Sequence, residues 1–143
     1  MIEILVVMGL MTIVASVALI MNLDNYKSYL FSSDRDTIIS VLQKARSQAT
    51  SNVCLGTCTD GIPHGVHFQS NQYVIFQGLS FNAADPLNEV IKTNNASLTI
   101  AGINDIVFGQ LSGSASPTGS LTIQDQSGHS ATININSEGR IDW

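Results

Sequence analysis

The hydrophobic pattern changes period once in the first third of the chain and then abandons helical spacing. Residues 4–21 are apolar except for Gly9, Thr12 and Ser16, and no charge follows Glu3 until Asp24. An uncharged run of about 18 or more residues is a candidate membrane span, and a helix of that length reaches roughly 30 Å. Residues 23–53 are amphipathic instead. Leu23, Tyr26, Leu30, Ile38, Val41, Leu42, Ala45 and Ala49 fall mostly three or four apart, with Asp24, Lys27, Asp34, Arg35, Asp36, Lys44 and Arg46 at other positions. No proline interrupts the pattern before Pro63. The spacing predicts one helix of roughly 50 residues and about 75 Å, against the alternative of two helices broken within residues 22–28. Its first half has no partner inside so short a chain, and its second half lays an apolar stripe on the C-terminal domain.

The remainder of the chain reads as strands. Residues 50–65 form a loop punctuated by Gly56, Gly61 and Pro63. Residues 66–69 and 72–77 flank Ser70-Asn71 as a hairpin. Residues 78–86 are a loop, and 87–92, 97–100 and 105–111 are further strand candidates. Residues 112–119 make a turn-rich tip. Leu121 and Ile123 alternate with Thr122 and Gln124, and Ala131, Ile133 and Ile135 with Thr132, Asn134 and Asn136, which predicts one buried and one wet face. A short strand over 139–142 closes the chain after a turn at Ser137-Glu138. The fold class is α+β: a long N-terminal helix, apolar then amphipathic, packed on an antiparallel β-sheet head. It divides into a hydrophobic helix at 1–23, its amphipathic continuation at 24–53 and a β-rich head at 54–143.

Composition narrows the function. The 44% hydrophobic content is concentrated in the first segment. The remainder is rich in Ser, Thr, Asn and Gly and poor in charge, as extracellular β-rich domains are. A net charge of −5 supplies no broad basic surface, which argues against nucleic acid as a partner. No Gly-x-Ser-x-Gly elbow, His-Glu-x-x-His or phosphate-binding glycine loop occurs, and Gly128-His129 reads as a hairpin turn. Neither an enzyme nor a cofactor site is expected.

Glu3 is the odd feature of the first segment. A cleaved secretory signal would carry a basic start, whereas here the start is acidic and the apolar run continues past Ala15-Ser16-Val17-Ala18. A plain anchor leaves the acid unexplained. A helix that sits first in a membrane and later in a bundle of subunits would give Glu3 a neighbour's cation to pair with.

Ile2-Glu3-Ile4-Leu5-Val6-Val7-Met8-Gly9-Leu10-Met11 resembles the N-terminal segment of type IV pilins and of the pseudopilins of type II secretion. The family's glutamate matches Glu3. The family's preceding Phe and Thr have no counterpart, and Met1 stands where its Leu would be, so its N-methylated phenylalanine corresponds to no residue here. Ala45-Arg46-Ser47-Gln48-Ala49, Gly65-Val66-His67-Phe68, Ile106-Val107-Phe108, Ile133-Asn134-Ile135 and Gly139-Arg140-Ile141 extend the resemblance to the GspH/FimT-type minor pseudopilins and pilins. The resemblance implies a structural subunit made by prepilin peptidase and methylated. Such a subunit is held in the inner membrane with its head outside, then passed by an assembly platform into a periplasmic or cell-surface helical filament of like subunits. Glu3 would be the assembly residue. A membrane-tethered binding module for DNA or a secreted substrate, and an anchored protein that never polymerises, remain alternatives.

Three smaller signals bear on the head. Cys54 and Cys58 would meet oxidising conditions there, so a disulfide is expected; Cys-x3-Cys-x5-His-x2-His through His64 and His67 leaves a metal reading open, and free thiols a third. Some FimT-type pilins bind DNA through Gly-Arg-x-Arg. Gly139 and Arg140 match, but Asp142 replaces the second arginine, so Arg140 is a weak nucleic-acid candidate. Asn95-Ala96-Ser97 fits a glycan acceptor, to which no site is assigned.

Overall fold

The structure is a computed structural model that describes residues 2–58, 60–93 and 98–143, with the backbone alone at 17–24. One helix, α1 (Ile2–Thr50), occupies the first third of the chain and has no break at 22–28. It ends three residues short of the expected boundary because Asn52 turns left-handed, at φ 56°. The Val53 N–H donates to the Gln48 carbonyl (3.0 Å) and the Asn52 N–H to the Ala49 carbonyl (3.2 Å). These are the paired bonds of a Schellman cap, where asparagine is the usual substitute for glycine.

The strands form two antiparallel sheets rather than one. The first contains β1 (His64–Gln69), β2 (Gln72–Gln77), β3 (Glu89–Lys92), β5 (Asp105–Phe108) and β6 (Ala115–Ser116), in the order β3-β2-β1-β5-β6. The second contains β4 (Thr99–Gly102), β7 (Gly119–Gln124), β8 (Ser130–Ile135) and β9 (Ile141–Asp142), in the order β4-β7-β8-β9. The turn-rich tip hides β6 and a cis Ser116–Pro117 bond, after which the chain crosses from the first sheet to the second. The glycan-acceptor pattern, Asn95-Ala96-Ser97, lies outside the described residues.

The second half of α1 packs on β1, β2, β5 and β9. Phe31, Ile38, Val41, Leu42, Ala45 and Ala49 are buried at helical spacing, and the two alanines, fully covered, let the sheet approach closely. Opposite them lie Val66, Phe68, Tyr73, Ile75, Ile106 and Phe108 from the first sheet. Leu121, Ile123, Ile133 and Ile135 from the second complete one core. Asp34 is buried on the same helical stripe. Burial, reinforced by the charge of Asp34, pushes the Tyr73 hydroxyl well above its ordinary range.

The outer face of the first sheet is also covered. Val74 and Phe76 of β2 are buried away from the main core, beneath the loop that carries Phe81. Phe81 stacks on His67 with ring centroids 4.0 Å apart and planes within 7°. Gly65 has no side chain because the Phe76 ring and the Ile106 carbonyl occupy the space of its Cβ. β2 is therefore apolar on both faces, as a strand inside a covered sheet must be.

Candidate functional site

Residues 2–16 of α1 touch no other part of the molecule closely enough to be covered: every one of them is exposed. Ile2, Ile4, Leu5, Val6, Val7, Met8, Leu10, Met11, Ile13 and Val14 each keep more than half of their surface open. Both hydroxyls in this stretch are satisfied within the helix. Thr12 Oγ1 donates to the Gly9 carbonyl (2.8 Å) and Ser16 Oγ to the Ile13 carbonyl (2.8 Å). Such back-bonding removes the polarity that would oppose apolar surroundings. Glu3 lies in the first turn, where a negative charge suits the helix dipole, and no described cation pairs with it. Among the described residues no helix is long and apolar enough to cross a membrane. The described apolar side chains stop at residue 16, after about 22 Å of helix.

Beyond the apolar run, Tyr26 and Tyr29 are 61% and 70% exposed, and among the described side chains the first buried one on the helix is Phe31. The head meets the helix there through His129, whose ring centroid is 5.7 Å from that of Phe31. His129 sits in the β7–β8 turn, which Asp125 organises. One carboxylate oxygen accepts from the Ser127 N–H (2.9 Å) and the His129 N–H (2.8 Å), and the other from His129 Nδ1 (2.8 Å). Burial raises the Asp125 carboxyl, but the hydrogen bonds and charge of His129 and the Ser127 N–H outweigh it, so its pKa is lowered.

Cys54 and Cys58 form a disulfide with Cα atoms 6.1 Å apart. The Gln77 side chain clamps this loop: Leu55 N–H donates to its Oε1 (3.2 Å), and its Nε2 donates to the Leu55 carbonyl (2.8 Å). The two histidines of the metal reading face opposite ways. His64 lies on the core side of β1, fully buried, its Nδ1 donating to the Ile62 carbonyl (3.0 Å); burial lowers its pKa against that bond. His67 lies on the outer side, paired with Asp105. Strand positions of opposite parity cannot converge on one ion, and no metal-holding cluster occurs among the described residues.

Gly139 and Arg140 belong to a turn, not to the expected strand, which starts at Ile141. Asn136 Oδ1 accepts from the Glu138 N–H (3.1 Å) and the Arg140 N–H (2.8 Å), and Gly139 takes φ 72°. The Arg140 guanidinium is held by Asp142, with Nε at 3.0 Å and Nη2 at 2.9 Å from one carboxylate oxygen. Other cations are likewise engaged: Arg35 with Asp36, Lys44 with Glu89, and Arg46 with the Glu138 carbonyl. The His67–Asp105 pair could not be seen in the sequence, since it depends on the β1–β5 register. The Asp125 turn could have been, because an Asp three residues before Gly-His is an Asx-turn signal.

A two-sheet head grips the second half of a helix whose residues 2–16 are left uncovered. The chain matches the family of the type II transport protein GspH over residues 35–139 and belongs to that family. It is thus a pseudopilin-like protein of type II secretion. The match starts four residues past Phe31 and covers the rest of the packed part of α1 and the head up to the turn before β9. No characterised protein and no solved structure gives a match.

Proposed function

We propose that the chain is a structural subunit of a type II secretion pseudopilus, or of a related type IV pilus, that assembles through the first half of α1. The observation that carries this is the row of ten large apolar side chains left open between Ile2 and Val14. Fully burying one such side chain is worth about 1.5–3 kcal/mol. Even at half that value, covering the row supplies on the order of 10 kcal/mol before the entropy of association is deducted. Before assembly, residues 4–21 hold the subunit in the inner membrane with its head on the periplasmic side, where prepilin peptidase and the assembly platform act on it. In the filament the same surface packs against the helices of like subunits.

Glu3 is the positioning charge. In an apolar bundle an unpaired carboxylate costs several kcal/mol, so the neighbour that offers a cation at its level is selected and other axial registers are rejected. The engaged state of Arg140, Arg35 and Lys44 supports a packing role for the head over a nucleic-acid one. The test is Glu3→Ala in cells carrying the complete secretion machine. The membrane-held monomer should persist at normal abundance while recovery in sheared filaments drops at least tenfold; undiminished recovery refutes the role.

A further inference from the structure

We propose that Tyr26, Lys27 and Tyr29, together with the His129 turn, form a rim that seats the unassembled subunit in the phospholipid headgroup layer. The inference rests on the membrane-held stage of the proposed function and adds where the head stops. The apolar run ends at Met21. At 1.5 Å per residue, Tyr26 lies about 7.5 Å and Tyr29 about 12 Å further along the axis. The polar layer on each side of a bilayer is about 5–7 Å thick. Helical side chains lean toward the helix N-terminus, here toward the bilayer, so the Tyr26 ring reaches back into that layer and the Tyr29 ring lies at its outer, wetter edge.

The residue types fit the place. Tyrosine presents an apolar ring and a hydroxyl, and is enriched where one end of a side chain is wet and the other is not. Tyr26 and Tyr29 are three apart, share one side of α1, and remain 61% and 70% exposed because no part of the head covers them. Lys27 between them supplies an ammonium for lipid phosphates. The head begins at once beyond them: Phe31 is buried, and the His129 turn lies on it. That turn is pinned by Asp125 and meets the helix at Phe31, two residues past Tyr29. With the tyrosines in the headgroup layer, the head begins just outside it at Phe31.

The test uses the full chain with Trp143→Phe, which removes its single tryptophan, combined with Tyr26→Trp or Tyr29→Trp. The probe is a vesicle of phosphatidylethanolamine and phosphatidylglycerol carrying a nitroxide either at the headgroup or near the acyl-chain end. Both tryptophans should be quenched most by the headgroup label, with the residue 26 probe deeper by about 4.5 Å. Protein that floats with the vesicles while its tryptophans are quenched by aqueous iodide and not by either lipid label overturns the rim and leaves the membrane stage standing. Strongest quenching by the deep label overturns it too. Failure to float refutes the membrane stage and the rim together.

Discussion

Replacing Gly139 by alanine isolates a demand that the fold makes on the Gly139-Arg140 pair. At φ 72° a side chain meets the left-handed penalty, about 1–2 kcal/mol. The added Cβ would also overlap the Gly113 carbonyl oxygen and crowd Arg46 Nε. Neither can give way freely. Gly113 is itself left-handed and lies against Thr50, and Arg46 Nη2 bonds the Glu138 carbonyl. The Ala115 N–H also donates to the Ser137 carbonyl (3.2 Å), tying this turn to the first sheet. Forcing a methyl into such a seam costs about 1–3 kcal/mol, so Gly139→Ala should lose about 2–5 kcal/mol in all. The assay is thermal and urea unfolding of residues 26–143, which retain every buried helix residue from Phe31 onward. A drop of roughly 10–20 °C in Tm is expected. Gly128→Ala is the control, since φ 90° imposes the backbone penalty while no atom lies within 4 Å of its Cβ. If the two variants differ by less than about 0.5 kcal/mol, the crowding carries no weight and the seam is not what keeps glycine there.

Arg140→Ala should leave the stability of the head unchanged and make no difference in a gel shift with duplex DNA at low salt, because the guanidinium is held by Asp142; a shift abolished by the substitution would show otherwise. Mutating both Cys54 and Cys58 to Ser should cost about 2 kcal/mol in urea unfolding, the loop-entropy value for so small a ring, without unfolding the head. His64 makes stability depend on pH. With its folded pKa lowered, the unfolded chain binds more protons below 6.5, so stability falls as pH drops from 7 toward 5. His64→Asn should flatten that slope. Asp125, whose pKa is also lowered, adds its own loss at lower pH, below about 3.8.

The helix and the strands of the head were legible because each keeps its own hydrophobic period. Ile38, Leu42, Ala45 and Ala49 mark a covered helical stripe, and Ile133 and Ile135 a half-covered strand. The division into two sheets was not legible, since alternation says which face is buried and not which strand lies alongside. β6 was hidden because Ala115 and Ser116 are two residues inside a turn-rich stretch. The covered outer face was not legible either, because what buries Val74 and Phe76 is the loop that carries Phe81, and nothing in a strand pattern says where a loop folds. At the candidate site the exposed apolar row follows directly from a run too long and too uniform for so small a head to wrap. The separation of His64 from His67 follows from strand parity, which a linear metal-ligand spacing ignores.

The central claim is that the open row of α1 is covered by other subunits. A photo-crosslinking residue placed at Val7 or Leu10, 54% and 59% exposed, tests it in cells that express the whole secretion machine. Adducts to the N-terminal helices of other pilin-like subunits are expected, and they should vanish when the assembly platform is deleted. A crosslinked product confined to the chain's own head, recovered from a water-soluble monomer, would contradict the claim.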